Sequence, residues 1–304
     1  MGYQPNPMVT ALMEDRRRAR PTSPASNLAF LHYYPREEQW KKSKANRILF
    51  AGAEAQAAQL GYNLLPIWGA SPNVNPKRLS TILRAKGMSG IVLAPLPNRI
   101  RRLELDWSNF AVAAMGFTLD SPRVHRAGTF QYHSIPLAVR ELHALGYQRI
   151  AIGIFPGADA RVDHAWEASL ALLGEEDYAP LPLRMPFEDP SSQKFKTWIK
   201  RHRIDAFINA DLPGMPKGLI DAGYRIPEDM GYVSLLSDEF ATVRRDWRGI
   251  GAEAVTLVHI QLMRNERGVP ERPKTVLIEG EWSPGTSVRS QTPQHPRPRT
   301  KACQ

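Results

Sequence analysis

From Asn27 onward, apolar runs of strand length alternate with segments of helical period, and the alternation is gone through twice. This pattern restricts the fold more than any other feature, because parallel strands joined by crossover helices require it. Residues 28–33 (LAFLHY) predict a buried strand. Residues 46–60 predict a helix with Phe50, Ala53, Ala57 and Leu60 on one face and Gly61 as its stop, and residues 62–67 a second strand. Asn75 and Pro76 predict a helix start, a capping side chain followed by a first-turn proline, and Gly87 predicts that helix's end. Strands follow at 91–94, 111–115 and 124–127.

The second round predicts a helix from Ser134 to Gly146, a strand at 150–155, helices at 160–173 and 192–202, and a strand at 206–210. A helix at 213–222 stopped by Gly223, a strand at 232–236, a long helix at 251–264 and a last strand at 275–279 complete it. The predicted fold class is α/β, with two doubly wound parallel-sheet subdomains, in a chain of 304 residues that is long enough to give each its own core. Residues 290–304 carry Pro293, Pro296 and Pro298 with charge and no apolar period, which predicts a disordered tail.

Several function classes lack their sequence signs. No run of eighteen apolar residues occurs, the first residues lack the basic-then-apolar order of a secretory leader, and the lone Cys303 allows no internal disulfide. The expectation is a cytoplasmic protein with no membrane partner. Residues 249–254 (GIGAEA) match the dinucleotide pattern GxGxxA, but they follow the polar run 244–248 rather than a strand, so no cofactor is expected there. No P-loop, HExxH, CxxC or GxSxG string occurs, and the eight histidines show no ligand spacing, so no metal is expected either. Asp120, Asp163, Asp205, Asp211 and Asp238 lie near predicted strand ends and could pair as acid and base, but a binding cleft accounts for them equally. The chain is not expected to be an enzyme.

The net charge of +10 gathers at the ends. Arg16, Arg17, Arg18 and Arg20 face only Glu14 and Asp15, and residues 285–304 hold Arg289, Arg297, Arg299 and Lys301 with no acid. Such ends suit a phosphate backbone, and equally they suit plain solvation. Asn6 and Pro7 can cap and start a helix whose Met8, Val9, Ala11, Leu12 and Met13 are mostly apolar. A helix that short does not stand alone in water. It calls for a partner, either its own copy in a dimer or a DNA minor groove that takes an apolar wedge while arginines hold phosphates; the alternative is a frayed tail or a membrane-facing tag.

Here the sequence resembles the LacI/GalR family of bacterial transcription regulators. Residues 2–12 (GYQPNPMVTAL) are similar to that family's GYxPNxxAxxL segment, which leads from the DNA-binding headpiece into the hinge helix. Residues 141–151 (ELHALGYQRIA), 221–230 (DAGYRIPEDM) and 282–287 (WSPGTS) are similar to three further family segments in the same order. The resemblance implies a periplasmic-binding-protein-like (type I) architecture with an effector cleft between the subdomains, and a homodimer that binds operator DNA under control of a small molecule, a carbohydrate by analogy. It implies residues 1–21 as headpiece end and hinge, 22–128 plus 250–272 as the first subdomain, 129–249 plus 273–289 as the second, and 290–304 as tail. Tyr3, Pro5, Asn6, Leu12, Arg16, Arg17 and Arg18 are the expected DNA contacts, with Leu12 levered into the central base step. A solute-binding or ligand-sensing protein of the same fold without DNA binding is the alternative.

Three departures from the family pattern bear on this. The helix-turn-helix that should precede Gly2 is absent from this sequence, so the expectation is either a trimmed or mis-started regulator or a sensor that does not read bases. The family's effector arginine aligns with Val162, and Arg161 lies one residue early. The family's GFDD reads as residues 234–238 (SLLSD). The expected effector contacts are Tyr33, Tyr34, Arg161, Asp163, Trp166, Asp211 and Asp238, where aromatics can stack on a sugar ring and carboxylates can accept from its hydroxyls. Trp40 could close over a ligand or pack as an ordinary core residue.

Overall fold

The computed structural model describes residues 26–97, 100–173, 180–187 and 189–291. The expected DNA contacts Tyr3, Pro5, Asn6, Leu12, Arg16, Arg17 and Arg18 lie outside the described residues, as does most of the expected tail. The described chain forms two compact units, residues 26–129 with Arg245–Glu279, and Phe130–Arg244 with residues 280–291.

The first unit opens with β1 (Ser26–His32), α1 (Lys44–Gln59), β2 (Tyr62–Trp68), α2 (Pro76–Ala85), β3 (Met88–Leu93), β4 (Ala111–Met115) and β5 (His125–Thr129). The second holds α3 (Ser134–Ala144), β6 (Ile150–Ile154), α4 (Pro156–Asp159), α5 (Ala165–Leu173), β7 (Leu183–Arg184), α6 (Gln193–His202), β8 (Ala206–Ala210), α7 (Lys217–Asp221), β9 (Gly231–Ser234) and β10 (Thr242–Arg244). The chain then returns to the first unit for α8 (Trp247–Met263) and β11 (Thr275–Ile278), and ends in the second with β12 (Glu281–Ser283).

The first sheet runs β11-β5-β4-β3-β1-β2 and the second β7-β6-β8-β9, and every pairing in both is parallel. Each sheet has a core on both faces, as a parallel sheet requires. Along β1, Leu28 and Phe30 belong to the core under α1 and α8, while Ala29 and Leu31 belong to the opposite core with Leu79 and Leu83 of α2. In the second unit Ile150, Ile152 and Ile154 of β6 face the side of α3, and Ala151 faces the side of α6. This two-residue alternation explains why the central strands read as unbroken apolar runs.

Local signals set the helix ends as the sequence indicates. The Asn75 side chain accepts from the Arg78 backbone N–H at 2.9 Å with Pro76 in the first turn, and Ser192 caps α6 through the Phe195 N–H at 3.2 Å. The GxGxxA string has a structural role. A strand, β10, does precede it, contrary to the expectation, but that strand pairs antiparallel with β12, and the glycines lie inside α8. A Cβ on Gly251 would stand 2.0 Å from the Leu49 carbonyl oxygen, and one on Gly52 of α1 would stand 2.1 Å from the Arg248 carbonyl oxygen. The two glycines therefore let α1 and α8 approach backbone to backbone, while Asp246 caps α8 through the Gly249 N–H at 2.7 Å.

Three expectations need correction. Residues 273–279 are expected in the second subdomain, but β11 pairs with β5 in the first unit, and the chain re-enters that unit at Arg245, just before α8, rather than at residue 250. The helix expected over 160–173 is broken, because Asp163 and His164 take left-handed backbone conformations with φ of 61° and 59°. The helix expected over 213–222 shortens to α7.

Candidate ligand-binding site

In a doubly wound sheet, ligands gather beyond the carboxyl ends of the strands, where consecutive connections leave in opposite directions. In the first unit β1 is followed on one side by β2 and on the other by β3, so this point lies between β1 and β3. In the second unit β6 is flanked by β7 and β8, which places it between β6 and β8.

Tyr33 and Tyr34 leave β1 at the first of these points, both half-buried. The Tyr34 hydroxyl accepts from Asn46 Nδ2 at 2.7 Å, and its carbonyl accepts from Trp68 Nε1 at 2.8 Å. Burial pushes the Tyr33 hydroxyl up to about 12, so it stays protonated and able to donate. His32, the last residue of β1, is only 1% exposed and lies among the rings of Phe30, Tyr34 and Trp40. Among the described residues its Nδ1 has no hydrogen-bond partner, and burial pulls the imidazole down to about 4, against the attraction of Glu38. His32 is thus a neutral ring with one unsatisfied nitrogen. Beside these residues the loop after β1 frames a pocket of ≈ 420 Å³ lined by Pro35, Arg36, Glu38, Gln39 and Lys42. Trp40, 3% exposed against Phe30 and Phe50, is a core residue and not a cover for a ligand.

In the second unit the segment after β6 carries Arg161 and Asp163, and Asp211 follows β8, so these three share the sheet edge at the second point. Asp163 and Asp211 are exposed, and both have positive φ, 61° and 63°. Arg161 is half-buried. Asp238 follows β9, next to β8 and away from the reversal, and is exposed. Trp166 departs from its expected role. It is 1% exposed in the core between α3 and α5, and its Nε1 donates to Gln131 Oε1 at 3.1 Å.

Asp159, which sequence reasoning did not single out, holds this edge together. Its buried carboxylate accepts from the Trp166 and Glu167 backbone N–H groups at 3.1 and 3.3 Å, which caps α5, and its second oxygen lies 3.1 Å from His164 Nδ1. That cap satisfies the amides freed where the chain turns left-handed at Asp163. Asn209, one strand over, bridges the Tyr232 hydroxyl at 2.9 Å and the Leu212 N–H at 2.8 Å, which fixes the turn carrying Asp211. The sequence signal for both is only an Asn or Asp close to the end of a predicted strand.

The remaining aspartates considered for acid–base work are structural. Asp120 is gripped by Arg101 through two bonds of 2.5 and 2.7 Å, which lowers its carboxyl, and Asp205 accepts from the Gln148 and Arg149 backbone N–H groups at 3.1 and 2.8 Å. Among the described residues no group of three His, Cys, Asp or Glu side chains could hold a metal ion, and no helix is long and apolar enough to cross a membrane.

Two parallel sheets, each wound both ways around its first strand, make this a two-unit α/β fold of the periplasmic-binding-protein-like class. No protein-family model matches the sequence, and no curated protein matches it. Solved structures do match in fold, among them LacI-family regulators and other transcription regulators. The CelR transcriptional regulator in complex with cellobiose is 16% identical with a TM-score of 0.57, covering 93% of this chain and 92% of that one. The Lac repressor dimer bound to operator and the anti-inducer ONPF is 16% identical with a TM-score of 0.56, covering 95% of this chain and 100% of that one. The regulator CcpA of Lactococcus lactis is 14% identical with a TM-score of 0.56, covering 87% of this chain and 100% of that one.

Proposed function

We propose that this chain is the hinge and effector module of a LacI/GalR-type transcription regulator. A small molecule, of carbohydrate class, would be taken up at the carboxyl ends of the strands and set the affinity for operator DNA. The observation that supports this most is the pairing of a binding-protein-like body with an N-terminal segment, GYQPNPMVTAL followed by arginines, that such a body does not need for ligand uptake. The ligand contacts in this reading are Tyr33, Tyr34, Arg161, Asp163, Asp211 and Asp238. They provide ring faces, hydroxyl acceptors and one guanidinium, the set a sugar calls for. Tyr3, Pro5, Asn6, Leu12, Arg16, Arg17 and Arg18 are the DNA contacts, with the protein acting as a dimer and catalysing no reaction. The fold neighbours lend support, since one is a complex with cellobiose and another a dimer on operator.

The test has two arms. In a thermal-shift screen of sugars and sugar phosphates, a ligand present at 100 times its Kd adds about 2.7 kcal/mol, which raises Tm by roughly 9 °C for a unit of this size. In parallel, labelled genomic fragments are offered to the purified chain with and without each hit. Retention of a discrete fragment set that changes with ligand supports the reading. A hit with no fragment retained under any condition leaves a ligand sensor, and no hit at all removes the reading.

A further inference from the structure

We propose that the first unit carries a second, cationic DNA-backbone surface at the amino-terminal edge of its sheet, opposite the edge that holds the candidate effector residues. This rests on the regulator reading above and adds a body contact to it. The centre of the surface is the loop between α8 and β11, residues 264–274. It holds Arg264, Arg267, Arg272 and Lys274 against Glu266 and Glu271.

The loop is tied down at three places. The Glu266 N–H donates to the Gln261 carbonyl at 2.8 Å, the Gly268 N–H to the Phe110 carbonyl at 2.9 Å, and the Lys274 N–H to His125 Nδ1 at 2.8 Å. These bonds fix it across the starts of β4, β5 and β11. It encloses a pocket of ≈ 570 Å³ whose lining includes Arg267, Arg272, Lys274 and His125. All three cations are exposed, and among the described residues none has a carboxylate within 4.0 Å; Arg264 reaches Glu266 only at 4.0 Å. A neutral lining residue completes the arrangement, because burial, seconded by the Lys274 charge, lowers the His125 imidazole. Arg267 donates one N–H to the Glu266 carbonyl at 2.9 Å, and Glu266 and Glu271 share the lining, but cations that no carboxylate holds keep most of their charge for a polyanion.

Chain geometry favours duplex DNA over a small anion. The same edge receives the chain at Ser26, where Asn27 Nδ2 bonds the Lys86 carbonyl at 3.2 Å. Arg20 stands six residues before Ser26, and six residues of extended chain reach at most about 20 Å. A duplex held by Arg20 therefore lies within about 20 Å of Ser26, and one held by Arg16, ten residues out, within about 36 Å.

The experiment uses the full chain and a fluorescent duplex that it binds, with affinity followed by anisotropy from 50 to 300 mM salt. Each phosphate neutralised contributes about 0.9 to the slope of log K against log salt. The triple variant R267Q/R272Q/K274Q is expected to flatten the slope by about 2 to 3 and to weaken binding at 0.1 M salt by on the order of several hundred-fold. A matched variant on the exposed face of α6, K194Q/K200Q/R201Q, removes the same charge elsewhere and is expected to leave the slope unchanged. An unchanged slope in the loop variant with the parent still binding overturns this proposal alone. Equal flattening in both variants also overturns it, as an effect of net charge. Selective displacement of the duplex by inorganic phosphate at constant ionic strength does so as well, and assigns the pocket to a small anion. If the parent chain retains no duplex at 50 mM salt, the regulator reading falls and this surface with it.

Discussion

Acidification is expected to weaken the first unit through one residue, His32. Its imidazole is held near 4 by burial, against 6.5 for an exposed histidine. The folded state therefore prefers the neutral ring, and stability is complete above pH 6.5 and declines as pH falls from 6.5 towards 4, below which this residue contributes no further loss. Linkage over that window gives a loss of about 2 kcal/mol by pH 5 and about 3 kcal/mol by pH 4. His32 is 1% exposed among three aromatic rings, so solvent does little to screen the effect. The assay is urea unfolding at half-unit steps from pH 7.5 to 4, on the parent and on His32→Leu. Because Nδ1 has no partner to lose, the substitution is expected to be mild at pH 7 and to shallow the decline by about 2 kcal/mol at pH 5. His125, also lowered, contributes in both proteins and cancels in the comparison. If parent and His32→Leu decline in parallel between pH 6.5 and 5, His32 is solvated or partnered in solution and the reasoning fails.

Three further outcomes follow from the geometry. Gly251→Ala places a methyl 2.0 Å from the Leu49 carbonyl oxygen, so α1 and α8 must separate; overpacking should outweigh the roughly 1 kcal/mol gain in helix propensity and lower stability by about 3 kcal/mol, read by thermal melting, with a neutral change counting against the backbone contact. Trp166→Phe should cost about 1–2 kcal/mol of stability and leave affinity for any identified sugar unchanged by calorimetry; a tenfold loss of affinity without loss of stability would return Trp166 to the ligand site. Asp163→Ala and Asp211→Ala should each weaken that sugar at least tenfold, about 1.4 kcal/mol, alongside a stability loss of about 1 kcal/mol from placing Ala in a left-handed conformation, and a pair of variants with unaltered affinity would remove both residues from the site.

The framework was legible because it rests on local signals. The strands at 111–115 and 206–210 appear where their uniformly apolar runs place them, since a central parallel strand is covered on both faces and need not alternate. Caps written in side chains, Asn75 and Ser192, mark helix starts directly. Two of the segments that carry the family resemblance, 221–230 and 282–287, prove to be joints of the fold. In 221–230, Arg225 grips Asp229 through two bonds of 2.8 Å, which holds that carboxyl well below its usual range, and in 282–287 the Ser287 hydroxyl links the Tyr232 carbonyl at 2.6 Å to the Ala241 N–H at 2.7 Å. What stayed illegible depends on partners far along the chain. Nothing local indicates that 275–278 joins β5 rather than the second sheet, or that 281–283 pairs with 242–244. The break at Asp163 escapes a periodicity argument because Ala160, Val162, Ala165 and Trp166 keep a helical period across it, and only the reach of Asp159 to the Trp166 N–H makes the break stable.

The candidate site is least legible at the two points where ligand binding is expected, and one cause accounts for both. In each sheet the reversal of winding falls beside the unit's first strand, β1 or β6, so the chain leaving that strand has a neighbouring connection on one side only. Such a segment cannot rely on a regular helix or ladder to satisfy its backbone and must do so with its own side chains and those nearby. After β1 this is done by Trp68 Nε1 on the Tyr34 carbonyl and Asn46 on the Tyr34 hydroxyl; after β6 it is done by Asp159 on two amides of α5. Both segments fall into short 3-10 turns, Gln39–Lys42 and Ala160–Val162, where no periodic pattern can betray them. The irregularity leaves polar and aromatic groups at an open strand end, and that condition makes these segments suited to a ligand while it hides them from pattern reading. It also separates the two kinds of residue there. Asp159, Asn46 and Asn209 hold the turn by spending their hydrogen bonds on the protein, whereas Tyr33 keeps its hydroxyl protonated and Asp163 stands exposed at the strand end.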